Sequence, residues 1–418
     1  MTARAAPRGF SLMELAVALG VSAVVIAGAL TILIGQQRTF KGTAGDRAAQ
    51  EAGRLALERL TSELRQAGYG LDPGMAFDFG AAESPQSTAI LQPGVGTVRF
   101  GGYLCDAPVA CRDKVDAPDE IVFHFRNPVF GKDVQTATHL PSEGELWLKG
   151  PLNAPIRPGQ ILQVVCYSGT LTWAYVTVNE LVPATADPEF KVSLAAPSGF
   201  ESDFPAQNKF FTMDGCFAGE VRAFKIERRR YFIDTYSETG QRVAWGTAGA
   251  RSYLMVDEGL LDEKGEPIHE VVAQDVEDLQ FAYLFPLAPH PTQVRGDAEG
   301  VALKNEAAGI DLAPVTIPSI PTYFVPSRDV SRATSHPSNA RAVLVAVVVQ
   351  QPADDQAVVD PELPLLLNRA AIQRVASRRR SVFQTTVTVP NLESRGPTYP
   401  TYGKPGVAID KPLNHGGG

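Results

Sequence analysis

From Phe10 to Gly35 the chain carries a single ionisable side chain, Glu14, in a run made mostly of Ala, Val, Ile and Leu. A helix needs roughly 20 apolar residues to cross a bilayer, and this run is long enough. A carboxylate inside such a helix costs on the order of 3 kcal/mol at the membrane centre by insertion scales, so Glu14 asks for a function. Arg4 and Arg8 precede the run and hold the short N-terminus in the cytoplasm. Everything after it then faces the opposite side of the membrane.

Past the apolar run, Gly42-Thr43-Ala44-Gly45 is a weak spot where a helix would fray or bend. Helical periodicity then resumes. Ala49, Gly53, Ala56, Leu57, Leu60, Leu64 and Ala67 recur at steps of three and four, while Glu51, Arg54, Glu58, Arg59, Glu63 and Arg65 fall largely elsewhere. That is an amphipathic helix, with Leu57, Leu60 and Leu64 as its core stripe. Gly68-Tyr69-Gly70 and Pro73 mark its end. Unbroken from Phe10 to Gly68, it would span roughly 90 Å.

Beyond the helix the pattern becomes β-rich. Glu120 to Arg126 alternates as a half-buried strand, with His124 a strand residue rather than a ligand. Gln160 to Tyr167 and Leu171 to Val178 flank Ser168-Gly169 as a hairpin. Val221 to Ile226, Arg230 to Asp234 and Ser252 to Val256 read as further strands, and Arg341 to Gln350 is a continuous apolar run suited to a central one. The fold class is therefore α+β: 36–70 as the amphipathic half of the helix, 71–394 as a β-rich head, a long Pro-rich loop over 286–340, and a tail over 395–418.

Composition narrows the function. A net charge of −8, with basic residues clustered only at Arg228-Arg229-Arg230 and Arg378-Arg379-Arg380, does not suggest a nucleic-acid partner. The two triplets read as solvated strand or turn ends. Asp257-Glu258-Gly259 and Asp262-Glu263-Lys264-Gly265-Glu266 read as acidic turns, the second as a hairpin loop lacking the ligand order of a calcium loop. There is no HExxH, GxSxG, Walker A or strand-following GxGxxG, and the six histidines show no metal spacing. The chain reads as no enzyme, with no cofactor and no metal.

Four cysteines, Cys105, Cys111, Cys166 and Cys216, all follow the apolar run and so face an oxidising compartment. Of three possible pairings, Cys105–Cys111 with Cys166–Cys216 joins nearest neighbours and closes the shortest loops. The chain-entropy model assigns these about 2.4 and about 4 kcal/mol. Zinc is the competing reading, but the spacing is not CxxC and no histidine is near in sequence.

Arg8-Gly9-Phe10, followed by Glu14 at the fifth position counted from Phe10, resembles the precursor motif of type IV pilins and pseudopilins. The resemblance implies a leader over 1–9, cleavage of Gly9–Phe10 by a prepilin peptidase, N-methylation of Phe10, and a membrane-spanning helix half over 10–35. It also implies that Glu14 pairs with the amino terminus of a neighbouring subunit during assembly. Arg54 to Gly70 resembles the end of the first helix in the PilW group of minor pilins, Val272 to Tyr283 its short segment preceding a strand, and Arg379 to Asn391 its closing strand, with Pro390 departing from the group's pattern.

A minor pilin of this kind would be an inner-membrane protein with a periplasmic head. It would prime pilus assembly near the tip, with the major pilin and other minor pilins as partners and a tip adhesin as a further candidate. Competing readings are a J-type minor pseudopilin of a type II secretion system and a membrane-anchored periplasmic binding protein. A secretory signal cut after Ala29 and an unprocessed signal anchor fit the apolar run, but neither explains Gly9-Phe10 and Glu14 at this spacing.

Overall fold

The computed structural model describes residues 11–71, 73–78, 88–92, 96–100, 112, 114, 116–134, 145–152, 154–167, 172–184, 189–193, 221–284, 340–351, 362–363, 366–367, 369, 372–373 and 379–393. The leader with Phe10, Cys105 and Cys111, Cys216, the Pro-rich stretch before Ala340 and the tail lie outside them.

Helix α1 runs from Leu12 to Leu64, 53 residues and so roughly 80 Å. The break expected at Gly42 to Gly45 does not occur. Each glycine costs only about 1 kcal/mol against Ala, and the turns on both sides are made of good helix formers. The helix ends where the sequence indicates, with Gly68 (φ 75°) and Gly70 (φ 67°) in the left-handed region.

The strands follow in chain order. They are β1 (Phe77–Asp78), β2 (Thr88–Gln92), β3 (Gly96–Phe100), β4 (Ile121–Asp133), β5 (Glu145–Lys149), β6 (Ile161–Cys166), β7 (Thr172–Thr177) and β8 (Glu189–Ser193). Then come β9 (Val221–Tyr236), β10 (Arg251–Leu261), β11 (Pro267–Gln274), β12 (Val276–Leu284), β13 (Ala342–Gln350), β14 (Glu362–Leu363), β15 (Ile372–Gln373) and β16 (Arg380–Thr388), and a short helix α2 (Pro390–Glu393).

A seven-stranded antiparallel sheet has the order β1-β4-β9-β10-β11, with the hairpin β6–β7 joined to one end of β9. A three-stranded sheet has the order β12-β13-β16. The expected strands Val221 to Ile226 and Arg230 to Asp234 are a single 16-residue strand, β9, because its two ends pair with different neighbours, β6 and β10. Val272 to Tyr283 is itself largely strand. It holds the end of β11, a turn at Asp275 (φ 57°) and nearly all of β12.

β13 is central, as its apolar run indicates, and both of its faces are covered. Val343, Val345, Val347 and Val349 join the main core with Leu279, Phe281, the α1 residues Ala49, Ala56, Leu60 and Leu64, and Ala67 just past the helix end. Ala346 and Val348 point the other way, against Leu363, Leu366 and Trp245. Burying a leucine such as Leu60 contributes roughly 1.5–3 kcal/mol. On the side of Ala346 and Val348, Arg369 makes a fully buried ion pair with Asp278 on β12.

The small residues of α1 let β16 come close. A Cβ on Gly53 would fall inside the contact distance of the Phe383 ring. Overpacking of this kind costs typically 1–3 kcal/mol. Gly53→Leu should therefore lower the thermal midpoint of the detergent-solubilised chain, followed by circular dichroism, and adding Phe383→Ala should recover part of the loss.

His124 is fully buried on β4, and its backbone N–H donates to Ala76 O at 2.9 Å. Burial, reinforced by the nearby Arg228 guanidinium, pushes its imidazole down to about 3. A histidine held neutral when folded contributes stability that is complete above its unfolded value near 6.5 and is lost as pH falls toward 3. In urea unfolding, His124→Gln should flatten the pH dependence between about 6.5 and 3 by up to ~1.4 kcal/mol per pH unit.

Candidate functional site

The segment that opens α1 is built as a self-contained cap. Ser11 is the N-cap residue, its Oγ accepting the Glu14 backbone N–H at 3.2 Å. Glu14 Oε2 in turn accepts the Ser11 backbone N–H at 2.9 Å. Two otherwise orphaned donors are satisfied reciprocally, and the carboxylate sits at the positive end of the helix dipole. The S-x-x-E pattern is legible in the sequence, yet its capping role was hidden behind the assembly role that the resemblance gives Glu14. Gly9 and Phe10 lie outside the described residues.

The next turns bury nothing. Leu15, Val17, Leu19, Val21, Val24 and Ile32 are each more than half exposed. This apolar surface is continuous around the helix, far larger than the isolated patches that a soluble monomer tolerates. The helix is long and apolar enough to span a membrane. Thr31 returns its hydroxyl hydrogen to Ala27 O at 2.9 Å, which leaves that hydroxyl satisfied without water.

The second half of α1 docks on the head through polar anchors as well as its apolar stripe. Asp46 accepts from Gln351 and lies within salt-bridge reach of Arg379. Arg59 makes a two-pronged contact with Glu270 on β11 at 2.5 and 2.8 Å. Glu63 accepts from Tyr231 Oη at 2.7 Å and from Arg229 Nε at 3.1 Å. Asn391 on α2 donates from Nδ2 to Arg65 O and Ala67 O, each at 3.2 Å, closing the carbonyl end of the helix. Pro390 opens α2 at the position where a missing N–H costs nothing. Sequence periodicity places Arg59 and Glu63 off the packing stripe; they lie 3.6 Å apart on the helix, and β9 and β11, on either side of β10, bring their remaining partners.

The basic triplet Arg228-Arg229-Arg230 is not a solvated strand end. It lies in the middle of β9, with Arg228 buried against Asp257 at 3.2 Å, and with Arg229 and Arg230, both partly exposed, paired with Glu63 at 3.1 Å and Glu120 at 2.8 Å. Asp257-Glu258-Gly259 is likewise no open turn. It forms an irregularity within β10 in which Asp257 is buried, and Glu258 pairs with Arg229 at 3.0 Å. In the second triplet, Arg380 is buried against Glu277 while Arg379 stays exposed. Asp262 to Glu266 is the β10–β11 hairpin loop, as read from the sequence.

Cys166 ends β6 and is disulfide-bonded, its partner lying outside the described residues. No group of three or more His, Cys, Asp and Glu side chains among the described residues is placed to hold a metal ion.

The Ser11–Glu14 cap makes a separable prediction. Ser11→Ala should lower helix stability by about 1 kcal/mol, and Glu14→Gln, which keeps an acceptor, should cost less than Glu14→Ala in amide exchange of residues 12–16 measured in micelles.

No protein-family model, no curated protein and no solved structure matches this chain.

Proposed function

We propose that this chain is a minor pilin similar to the PilW group, cleaved between Gly9 and Phe10, N-methylated at Phe10 and anchored in the inner membrane by residues 10–35. Its head lies in the periplasm. It takes part in priming type IV pilus assembly near the tip, alongside other minor pilins and the major pilin.

The observation that carries this reading is Glu14 in the first turn of one continuous helix, Leu12–Leu64, with Gly9-Phe10 just before it in the sequence. The first half of that helix offers only apolar surface, and its second half is packed on a β-rich body. A signal peptide or simple anchor has no use for a rigid connection between the membrane segment and the head. A subunit drawn from the bilayer into a fibre does, because the force of extraction is transmitted along one unbroken rod.

Glycine at position 9 lets a peptidase approach the backbone without a side chain in the way. Glu14 is the sole charge in the apolar half, and pairing with a free amino terminus offsets part of the several kcal/mol that a lone ion costs in hydrocarbon.

The test is a pair of variants expressed with the prepilin peptidase. Gly9→Leu should leave the leader in place, seen as a precursor band that does not shift. Glu14→Ala should be processed normally yet be depleted from sheared fibres relative to the membrane fraction. Normal recovery of Glu14→Ala in fibres would remove the assembly role.

A further inference from the structure

On β4, β9 and β10 all the arginines but one have a carboxylate partner. Arg222 meets Asp133, Arg228 meets Asp257, Arg229 meets Glu63, Arg230 meets Glu120 and Arg251 meets Asp275. Arg126, midway along β4, instead donates from Nε and Nη2 to the neutral Gln163 Oε1 at 3.0 and 2.6 Å. Its guanidinium lies 4.2 Å from the centroid of the Phe224 ring, a stacking geometry that holds the cation's plane.

The support behind Arg126 is rigid. Gln163 is buried on β6 and donates onward from Nε2 to Tyr175 Oη at 3.0 Å. The Arg126 backbone N–H donates to Tyr69 O at 2.8 Å. Gly70 passes so close that a Cβ there would stand 2.9 Å from Arg126 Nε. Partial burial lowers the guanidinium from its ordinary value, and the opposing influences come only from the hydroxyls of Tyr175, Tyr167 and Tyr69. A partly desolvated cation with no opposite charge beside it among the described residues is a cost that the fold retains.

A guanidinium has five N–H donors in a fixed fork. Two are spent on Gln163, leaving the second hydrogen of Nη2 and both of Nη1. That remaining edge is the one a carboxylate engages through two parallel hydrogen bonds. Tyr69 and Tyr167 beside it are 45% and 47% exposed. Arginine and tyrosine together are the residue types that most often dominate binding at interfaces.

We propose that Arg126, flanked by Tyr69, Tyr167 and Tyr175, is a receptor for a carboxylate carried by another molecule. A single cation with one free edge matches a planar monoanion better than a phosphate dianion. The carboxylate can come from an acidic side chain of a protein partner or from an acidic sugar. The site lies at the end of α1 remote from its apolar half, and the inference does not depend on the pilin reading.

The test is calorimetric titration of the full chain in detergent micelles with two probes, sodium glucuronate and an acetylated, amidated tetraglutamate peptide, and with inorganic phosphate as control. One carboxylate probe should bind saturably at one site per chain. Binding should weaken roughly tenfold or more in Arg126→Gln and stay unchanged in Arg222→Gln. Glucuronate binding alone identifies a sugar source, and peptide binding alone identifies a protein source. Should Arg126→Gln not fold, the Tyr69→Ala/Tyr167→Ala pair, both partly exposed, carries the comparison. Absence of saturable binding to either probe, equal binding by the variants, or binding of phosphate in preference to both would overturn the proposal.

Discussion

The architecture depends on how closely one face of α1 approaches the three-stranded sheet. Ala49, Gly53 and Ala56 interleave with Leu60 and Leu64, so the helix meets β13 and β16 with little side chain between. That contact joins a rod whose first half is built for lipid to a body whose strands come from distant parts of the sequence. Dispersion and burial along this seam do most of the holding. Asp46, Arg59 and Glu63 fix the register of the rod at three heights, because each reaches a different strand or loop of the head.

Charge inside the head follows one rule. Arg228, Arg369 and Arg380 are buried, and each meets a carboxylate that is also buried. Removing one member of such a pair strands its partner and costs several kcal/mol, whereas the intact pair adds little net stability. These pairs therefore act mainly as selectors of strand register and of the position of Arg369 against β12. Arg126 stands apart from this rule, its guanidinium resting on Gln163 and Phe224 rather than on a carboxylate of the described residues.

Much of this was legible in the sequence, and the rest was not for definite reasons. The helix stripe, the central strand β13, the β6–β7 pairing and the β10–β11 hairpin all rest on local periodicity or turn chemistry, which short windows carry. The fate of Arg228 to Arg230 was not local. Whether an arginine on a strand is solvated or buried depends on Asp257 and Glu120, which neighbouring strands bring beside it. The same holds for β9, where a change of partner from β6 to β10 leaves no mark in the sequence beyond a loss of clean alternation. At Gly42 to Gly45, a local propensity argument was outweighed by the helix on both sides. The Ser11–Glu14 cap was legible as S-x-x-E, but its reciprocal hydrogen bonds are seen only in the structure.

On the proposed pilin reading, cleavage creates the free amino terminus at Phe10 that Glu14 of a neighbouring subunit would meet, while the Ser11–Glu14 cap, whose bonds all lie beyond the cut, survives it. That sequence of events begins at the Gly9–Phe10 bond. Intact-mass and N-terminal analysis of the chain from its native membrane tests it most directly. The account predicts a chain beginning at N-methylated Phe10; a terminus at Leu30, or an intact Met1, would contradict it.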